Sequence, residues 1–488
     1  MLALEIVASR IIAPYFGNSV YVWGSLIGIF LAALSVGYFL GGRVADRWPS
    51  GAVFAGVVFV AGALVFPIPL VAPRLLEAIA LTDLGPRANP LVGSLGLFFL
   101  PSVVMGMVSP FAIRLRARTV ATIGNVAGAL YALSTVGSIA GTLLAAFVLL
   151  AVMHVRTIVH LLGAALMLLA FWGWLGDRER RAAIVGLVVA VLLGASVPLA
   201  GSGDAPEGLR FEQDTVYHRI TVTDEGSTRY LKLDNYWQSG LDLTDPRRTV
   251  FTYATYMHLP VIFRPDARRA LMIGLGGGTV PARYHRDYIQ VAMEVVELDP
   301  AVIGVARRYF QFPEDDRLRV VAQDGRLFLA RTPQRYDIIL LDAYLIDTIP
   351  FHLATQEFFQ MAKAHLIPGG VLASNVIGAL GGPRSRFFRA VYKTFRTVFP
   401  TVYVFPVDWY PFGGLESLRN IILVGTDQPA LSYETILRAA ARARVVPGVT
   451  VERFDSAAHS LYTDPIPTDD VPVLTDDFAP VELLVQRR

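Results

Sequence analysis

The stretch from Ala270 to Asp342 places the strongest limit on how this chain can fold. It begins with an apolar run, residues 270–273, that is broken by Gly274-Leu275-Gly276-Gly277-Gly278. Three more apolar runs follow it, and each of them ends at or beside an acidic residue: Glu297, Asp324 or Asp342. Short apolar runs that alternate with helical segments predict a mostly parallel sheet with helices on both faces.

The glycines and the three acids are expected to meet at one edge of that sheet. Glycines at the carboxyl end of a strand lack the Cβ atoms that would hold the backbone away from a ligand. An acid at the tip of the next strand can accept hydrogen bonds from both hydroxyls of a ribose. Ligands of open α/β sheets bind outside the carboxyl ends of the strands. The pattern therefore predicts an adenosyl-binding site, whereas a Gly-rich turn alone is equally typical of an ordinary tight turn.

The rest of the C-terminal half continues this alternation. Strands are predicted at residues 270–274, 291–297, 319–322, 337–341, 371–375, 402–406 and 421–425, with helices at residues 301–309 and 355–365. Ahead of them, residues 217–224 and 228–233 alternate between apolar and polar like a hairpin, with residues 225–227 as its turn. We expect a small β-hairpin domain over residues 209–262 and an α/β doubly wound sheet over residues 263–488.

The first two hundred residues predict an N-terminal α-helical transmembrane bundle. The chain of 488 residues is 54% hydrophobic, which is too apolar for a soluble enzyme of this size, and the excess precedes residue 200. A bilayer core needs about 20 mostly apolar residues in a helix. Six such spans are predicted at residues 21–40, 52–72, 91–113, 121–153, 159–175 and 182–200. A seventh, residues 2–14, is short and carries Glu5 and Arg10, and residues 201–208 form the predicted linker.

The distribution of arginines around these spans and the expected source of the ligand predict opposite orientations for the C-terminal domain. Arginines cluster after alternate spans, at Arg43, Arg47, Arg114, Arg116, Arg118, Arg178, Arg180 and Arg181. The positive-inside rule puts these loops in the cytoplasm, and one further span would carry the C-terminal domain to the outer face. An adenosyl cosubstrate made in the cytoplasm favours the opposite side. We expect a multi-pass protein of the bacterial plasma membrane whose catalytic domain is cytoplasmic, against the arginine count.

Charge and residue usage exclude several other classes of protein. The net charge of +3 is small, so a nucleic-acid partner is not expected. Without cysteine there is no thiolate nucleophile and no Cys-ligated zinc. The histidines lack ligand spacing, and no metal is expected. The acids at Asp464, Asp469, Asp470, Asp476 and Asp477 are typical of solvated loops, or else they attract a polycationic substrate.

Residues from about 211 to 378 resemble the spermidine synthase family of aminopropyltransferases, which share the fold of adenosylmethionine-dependent methyltransferases. Val296-Glu297-Leu298-Asp299 resembles the ribose-binding strand tip of that family, and Asp324-Gly325 resembles its adenine-binding pair. The run that ends at Asp342 resembles the strand with the catalytic aspartate, and Leu233 to Gln238 resembles part of the second hairpin.

The N-terminal half narrows the resemblance. Glu5-Ile6-Val7-Ala8-Ser9-Arg10, Gly41-Gly42-Arg43-Val44-Ala45-Asp46-Arg47 and Leu474-Thr475-Asp476-Asp477 are similar to segments of membrane-integrated spermidine-synthase-like proteins. The resemblance therefore covers almost the whole chain. It implies a lipid-bilayer environment, a small-molecule amine substrate and a possible homodimer.

The resemblance assigns expected roles to individual residues. Asp342 is the expected catalytic base. The cosubstrate, decarboxylated S-adenosylmethionine or S-adenosylmethionine itself, is expected to contact Gly274, Gly276, Gly278, Glu297, Asp324 and Gly325. The amine substrate is expected to contact Tyr217, His218, Gln238, Tyr344 and Asp347, with Asp234 helping to close the pocket. A strand-end acid such as Asp342 can also cap the turn that follows it.

The chain departs from the family on the amine side of the site. The family has an aspartate in its Gly-rich turn that contacts the amine of the cosubstrate, and the matching position here is Gly277. A glutamine of the first hairpin falls near His218, and a tyrosine-histidine-glutamate run is replaced by Thr252-Tyr253-Ala254. The family's second aspartate, three residues after the catalytic one, is Leu345 here. The adenosyl half is retained and the polyamine half is altered.

Three functions are compatible with this pattern. The favoured one is a membrane-bound polyamine aminopropyltransferase that transfers an aminopropyl group from decarboxylated S-adenosylmethionine to an amine such as putrescine and releases methylthioadenosine. The second is an S-adenosylmethionine-dependent methyltransferase that acts on a membrane-associated acceptor. The third is a membrane transport or sensor module with an adenosyl-binding domain.

Overall fold

The computed structural model describes residues 1–16, 19–82, 84–85, 87–117, 119–176, 180–201, 207–215, 217–344, 348–409, 414–444 and 454–485. The chain divides into two compact units. The N-terminal unit comprises Met1–Glu207 with Gln213–Arg219, and the C-terminal unit comprises Gly208–Glu212 with Ile220–Arg488. Most of the predicted linker, residues 202–206, lies outside the described residues.

The N-terminal unit is helical. Its α-helices are α1 (Leu2–Phe16), α2 (Val20–Arg47), α3 (Gly51–Val65), α4 (Ile68–Thr82), α5 (Ala88–Gly106), α6 (Val108–Arg116), α7 (Val120–Leu144), α8 (Leu150–Val152), α9 (Val155–Gly176) and α10 (Arg180–Gly201). A π-helical segment, Ala145–Leu149, joins α7 to α8. Serine side chains cap two of the helices, since Ser19 accepts a hydrogen bond from Val22 N and Ser50 accepts one from Ala52 N.

Four segments of the described residues are long and apolar enough to cross a bilayer: Val20–Arg47, Ala88–Arg116, Thr122–Leu149 and Val155–Leu175. A fifth is possible if α3 and α4, which are bent by 50° at their junction, are counted as one span. The prolines Pro67 and Pro69 stand at this bend, where proline removes a backbone donor. The predicted count of six or seven spans is not confirmed, because α1 has 15 residues and the apolar stretch found in α10 is only Ala182–Val191.

The C-terminal unit contains two sheets. The smaller is antiparallel, in the order β1-β2-β3-β4, with strands β1 (Leu209–Asp214), β2 (Arg219–Glu225), β3 (Thr228–Leu233) and β4 (Tyr236–Asp242). Its β2–β3 turn contains Gly226 at φ +59°, and the predicted hairpin is confirmed. Asp234 and Asn235 both have positive φ in the two-residue β3–β4 turn, as that kind of hairpin requires.

The larger sheet has seven strands among the described residues, in the order β10-β11-β9-β8-β5-β6-β7. These are β5 (Arg269–Ile273), β6 (Ala292–Glu297), β7 (Leu318–Ala322), β8 (Tyr336–Leu341), β9 (Leu366–Gly378), β10 (Thr401–Pro406) and β11 (Arg419–Thr426). Strands β5 to β9 are parallel, and β11 is antiparallel to both β9 and β10. All seven predicted strands are present, so the doubly wound sheet is confirmed.

Helices cover both faces of this sheet and enclose two buried apolar clusters. They are α11 (Tyr253–Tyr256), α12 (Pro260–Phe263), α13 (Thr279–Asp287), α14 (Pro300–Tyr309), α15 (Gly325–Arg331), α16 (Gln356–Ala364), α17 (Arg386–Val398), α18 (Tyr433–Arg444), α19 (Phe454–His459) and α20 (Val481–Leu484). Every residue of β8 is buried. The strand order changes direction between β5 and β8, which is where open α/β sheets form a ligand crevice.

Candidate functional site

The Gly-rich loop between β5 and α13 has a backbone that favours glycine. Gly274, Gly276 and Gly278 have φ values of +98°, +54° and +79°, in the left-handed region that side chains disfavour. A Cβ atom on Gly274 would collide with the carbonyl group of Asp342. Asp342 N also donates a hydrogen bond to Ile273 O at 2.9 Å. The loop therefore lies in backbone contact with the tip of β8.

Glu297, at the end of β6, binds the same loop. Its Oε2 accepts a hydrogen bond from Leu275 N at 2.9 Å, and its Oε1 accepts one from Asp299 N at 3.0 Å. Asp299 in turn caps α14 by accepting a hydrogen bond from Ala301 N at 2.9 Å. The carboxylate predicted to contact a ribose is thus held beside the glycines by backbone N–H groups.

Asp324, at the start of α15, has two roles in the fold. Its Oδ1 caps the helix by accepting a hydrogen bond from Leu327 N at 2.9 Å, and its Oδ2 lies 3.2 Å from His352 Nε2. The backbone of Gly325 packs so closely on Ile273 that an added Cβ would collide with that side chain. The predicted adenine-binding pair therefore lies against β5, next to the loop.

Asp342 follows β8 and faces a cavity. Asn375 Nδ2 donates a hydrogen bond to Asp342 Oδ1 at 2.9 Å, and the hydroxyl of Tyr253 donates to the same carboxylate. Burial raises the pKa of Asp342 to about 6, while the hydrogen bonds from Asn375 and Tyr253 act in the opposite direction. Burial, together with the charge of Asp342, raises the pKa of Tyr253 well above its usual value. At neutral pH the site therefore contains an ionised carboxylate and a neutral phenol.

A pair of amide side chains supports this carboxylate from the neighbouring strands. Asn375, on β9, is 1% exposed, and its Oδ1 accepts a hydrogen bond from Asn420 Nδ2 on β11 at 3.0 Å. The hydroxyl of Tyr344 donates to Asn375 O at 2.6 Å. Because Asn375 Oδ1 accepts the hydrogen bond from Asn420, its Nδ2 is directed at Asp342.

The cavity in front of Asp342 has a volume of about 380 Å³. Its lining comes from β4, the segment before α11, the Gly-rich loop and the tips of β8 to β11: Trp237, Gln238, Ser239, Val250, Phe251, Thr252, Tyr253, Leu275, Gly276, Asp342, Tyr344, Asn375, Ile377, Val407, Asp408 and Asn420. Among these described lining residues, two are carboxylates and none is lysine, arginine or histidine. The chemistry of the wall favours an organic cation.

Comparison with known proteins identifies the family. Residues 251–416 match the model of the spermine/spermidine synthase domain. The polyamine aminopropyltransferase of Vibrio vulnificus is 31% identical over 282 residues, which cover 56% of this chain and 90% of that protein. The chain belongs to the polyamine aminopropyltransferase family. It is a transferase.

Two further proteins are similar to parts of this chain. The polyamine aminopropyltransferase of Chromobacterium violaceum is 36% identical over 159 residues, which cover 32% of this chain and 60% of that protein. The crystal structure of spermidine synthase from Thermotoga maritima covers 53% of this chain and 84% of that chain, with 20% identity and a TM-score of 0.42.

The structure gathers most of the predicted aminopropyltransferase residues around the loop and cavity. Gln238 and Tyr344 line the cavity with Asp342. Tyr217 and His218 belong instead to the N-terminal unit, where Arg10 Nη1 donates a hydrogen bond to Tyr217 O at 2.9 Å. Asp347 lies outside the described residues. The roles of all these residues in substrate binding remain predictions.

Packing explains why this chain has Gly277 where the family has an aspartate. Gly277 N donates a hydrogen bond to Ser239 Oγ, on β4, at 2.7 Å. A Cβ at this position would lie 2.8 Å from Ser239 Cβ and 2.9 Å from Phe310 Cδ1. The loop therefore has no room for the aspartate that the family carries here, because β4 occupies that space.

Five residues of the site were not assigned roles from the sequence: Ser239, Tyr253, Asn375, Asp408 and Asn420. A signal existed for Asn375, which is a polar residue at the end of an apolar parallel strand beside β8. Tyr253 stands in a segment that differs from the family. The other three depend on pairings between distant parts of the chain, such as β11 with β9.

Two acids of the C-terminal segment are bound to arginines. Arg326 Nη1 donates to Asp476 Oδ1 at 2.8 Å, and Arg389 Nη2 donates to Asp470 Oδ2 at 2.8 Å. Arg389 is 8% exposed. Asp470 and Asp476 therefore fasten the C-terminal segment to α17 and α15, although both side chains are still exposed to solvent.

Proposed function

We propose that this protein is a membrane-bound aminopropyltransferase that uses decarboxylated S-adenosylmethionine and an amine such as putrescine, and releases methylthioadenosine. The observation that carries the proposal is Asp342, a partly buried carboxylate with a pKa of about 6 at the junction of the Gly-rich loop and an acidic cavity. Family membership supplies the reaction class, and the cavity supplies a place for the amine.

On the donor side, the adenosyl group is proposed to lie against the loop from Gly274 to Gly278. Glu297, Asp324 and Gly325 would contact its ribose and adenine. Their positions around one loop support this assignment, because two separate strands, β6 and β7, lead to them. The same contacts also serve the fold, so these acids are already oriented when the donor arrives.

On the acceptor side, Asp342 is proposed to be the catalytic base. The lone pair of the acceptor nitrogen attacks the aminopropyl carbon that is bonded to the sulfonium. The carbon–sulfur bond breaks, its electrons return to sulfur to give a neutral thioether, and the surplus proton on nitrogen goes to Asp342. A carboxylate with a pKa near 6 is ionised at pH 7 and more basic than an ordinary aspartate, which suits this transfer.

The membrane location rests on the N-terminal unit, where four helices meet the length and hydropathy needed for a span. We propose a bacterial plasma-membrane protein with its catalytic domain on the cytoplasmic side, where the donor is made. Protease treatment of vesicles of known orientation tests this assignment. Cleavage of the catalytic domain only from the outer side would overturn it.

Product analysis tests the reaction. The purified full-length chain is supplied with putrescine and either decarboxylated or intact S-adenosylmethionine, and the products are identified by mass spectrometry. We expect methylthioadenosine from the decarboxylated donor. Adenosylhomocysteine from the intact donor would indicate a methyltransferase, and tight adenosyl binding without turnover would indicate a sensor.

Substitution of the base sharpens the same test. Asp342→Asn is expected to lower the rate of methylthioadenosine release on the order of 10²-fold or more while adenosyl binding is kept. The matched control is Asp316→Asn, since the side chain of Asp316 is fully exposed and its closest ion-pair contact to Arg319 is 3.5 Å. Undiminished turnover by Asp342→Asn would disprove the assignment of the base.

A further inference from the structure

The helical N-terminal unit contains a cavity of about 690 Å³ that takes no part in the proposed reaction. Six helices line it: α1, α3, α5, α6, α7 and α9. Three of the described lining residues are serines, and none of the described lining residues has a charged side chain. Its volume falls within the range of about 300–1,000 Å³ that is typical of ligand pockets. Apolar cavities stay dry and bind apolar molecules, so a hydrocarbon chain suits this wall.

The cavity is about as deep as one leaflet of a bilayer. Along α3 it reaches from Gly51, the first residue of that helix, to Ala61. Ten residues of α-helix rise about 15 Å, and the hydrocarbon core of a bilayer is about 30 Å thick. The end of α9 lies at the level of the start of α3, because Trp174 Nε1 donates a hydrogen bond to Ala52 O at 2.9 Å. The cavity therefore extends from one surface of the proposed bilayer to about its midplane, as an acyl chain does.

The wall that α7 contributes consists of small residues. Ser134, Gly137, Ser138 and Gly141 line the cavity and recur at the spacing of one helical face. Small residues in membrane helices usually allow a neighbouring helix to pack closely. Here they border the cavity, and a Cβ on Gly137 would meet no atom of the described residues within 4 Å. The span that contains α7 is only 6% buried, so lipid can reach the cavity from the side.

Positive charge is concentrated at the surface end of this cavity. Arg47 ends α2 just before α3 begins, and Arg116 ends α6, about 10 Å along that helix from Ser109 in the lining. Arg114 Nε lies 2.9 Å from Asp46 Oδ1, which joins the ends of α6 and α2. The side chains of Arg47 and Arg116 are exposed. Guanidinium groups at this level of a membrane protein are suited to the phosphate of a lipid headgroup.

We propose that this cavity binds one acyl chain of an anionic phospholipid, with the phosphate group of that lipid at Arg47 and Arg116. The inference rests on the proposed membrane location and is independent of the proposed reaction. The chain contacts the apolar wall and the small face of α7, while the arginines attract the net negative charge of the headgroup. Phosphatidylcholine offers the same chain, but its choline cation offsets the phosphate charge, so the site prefers the anionic lipid.

Native mass spectrometry of the full-length protein in detergent tests this site, with dioleoyl phosphatidylglycerol and dioleoyl phosphatidylcholine as the probes. We expect one phosphatidylglycerol to bind about 10-fold more tightly than phosphatidylcholine. The double variant Arg47→Gln with Arg116→Gln should lose this preference and bind phosphatidylcholine within about 2-fold of the wild type. Arg438→Gln, at an exposed arginine of α18, is the control and should keep the preference.

A variant that fills the cavity tests the acyl chain separately from the headgroup. Gly137→Leu places a side chain in the cavity and should weaken the binding of both lipids by about 10-fold or more, because it displaces buried methylene groups. Gly128→Leu is the matched control, since Gly128 is also on α7 and has open space for a Cβ but does not line the cavity. Circular dichroism checks that both variants keep their helices. Equal affinity of the wild type for the two lipids, or unchanged lipid binding by a folded Gly137→Leu, would overturn the proposal.

Other occupants of the cavity give different results. Displacement of phosphatidylglycerol by glycerol phosphate alone would show that only a headgroup is bound. A dimer that forms in place of the lipid adduct and is lost in Gly137→Leu would assign the cavity to a second copy of the chain. Either result would overturn the acyl-chain site and leave the membrane location standing. Recovery of the protein in the soluble fraction without detergent would instead overturn the proposed membrane location, and this inference with it.

Discussion

The proposed donor and acceptor halves of this site are built in different ways. The donor half is largely backbone: glycines with positive φ, and N–H groups that fix Glu297. The acceptor half is largely side chain: Tyr253, Asn375 and Asn420 arranged around Asp342. A backbone site tolerates almost no change in shape, whereas a side-chain network can be adjusted one hydrogen bond at a time. Substitutions in the two halves should therefore differ in size and in kind.

The largest effect is expected in the backbone half, from Gly274→Ala. The new Cβ would collide with the Asp342 carbonyl group at a φ of +98°, so the loop must move away from β8. We expect adenosyl affinity, measured by calorimetry, to fall by about 100-fold or more. Gly304→Ala is the control, because a Cβ there meets open space within a helix. Retained affinity in Gly274→Ala would remove the contrast between the halves.

In the acceptor half, Tyr253→Phe should be milder and should depend on pH. The Tyr253 hydroxyl stabilises ionised Asp342, so its loss raises the pKa of Asp342 above about 6. Activity needs the ionised base. The apparent pKa on the acidic side of the pH profile of kcat/KM is therefore expected to rise by about 1 unit. Tyr433→Phe, at an exposed tyrosine, should not move it. An unchanged apparent pKa in Tyr253→Phe would show that the phenol does not act on the base.

The cost of keeping Asp342 ionised should be visible in stability. The folded-state pKa, about 6, lies above the unfolded value of 3.8, so ionisation destabilises the fold increasingly from pH 4 to 6, and fully above that range. Asp342→Asn cannot ionise at this position. At pH 7.5 we therefore expect its free energy of unfolding to exceed that of the wild type by about 1–2 kcal/mol, and its unfolding temperature to be higher. At pH 4 the difference should vanish. A constant difference at both pH values would contradict the raised pKa.

The smallest effect is expected from Asn420→Ala, which acts through Asn375. Without the hydrogen bond from Asn420, Asn375 is less firmly oriented and donates less well to Asp342. The apparent pKa on the acidic side of the pH profile should rise by about 0.3–0.5 unit, and kcat should fall by about 2- to 5-fold. Asn420→Gln, which keeps the amide, is the matched variant and should recover part of the loss. Equal pH profiles and equal kcat in the wild type, Asn420→Ala and Asn420→Gln would exclude a positioning role for Asn420.

Features that depend on neighbouring residues in the chain could be predicted from the sequence, whereas features that depend on pairing between distant segments could not. Strand alternation is local, so β5 to β11 and the strand-tip acids were predictable from the chain itself. The positions of Tyr217 and His218 depend on a segment that packs with the N-terminal unit, and their sequence neighbours do not show this. The count of six or seven spans is not confirmed, because Pro67 and Pro69 interrupt one predicted span and α1 has only 15 residues. Asn420 and Asp408 join the site only through β11–β9 and β10–β11 pairing.

The contact between Ser239 and Gly277 has an evolutionary consequence. An aspartate cannot enter position 277 while Ser239 occupies the adjoining space, and Ser239 loses its hydrogen-bond donor if the loop backbone shifts. The two positions should show strong epistasis: Gly277→Asp alone is deleterious, and it becomes tolerated only when a smaller residue at 239 is combined with a shift of the Phe310 ring, which also crowds position 277. Descendants of such a chain would regain the family's acidic loop through paired changes in two separate elements.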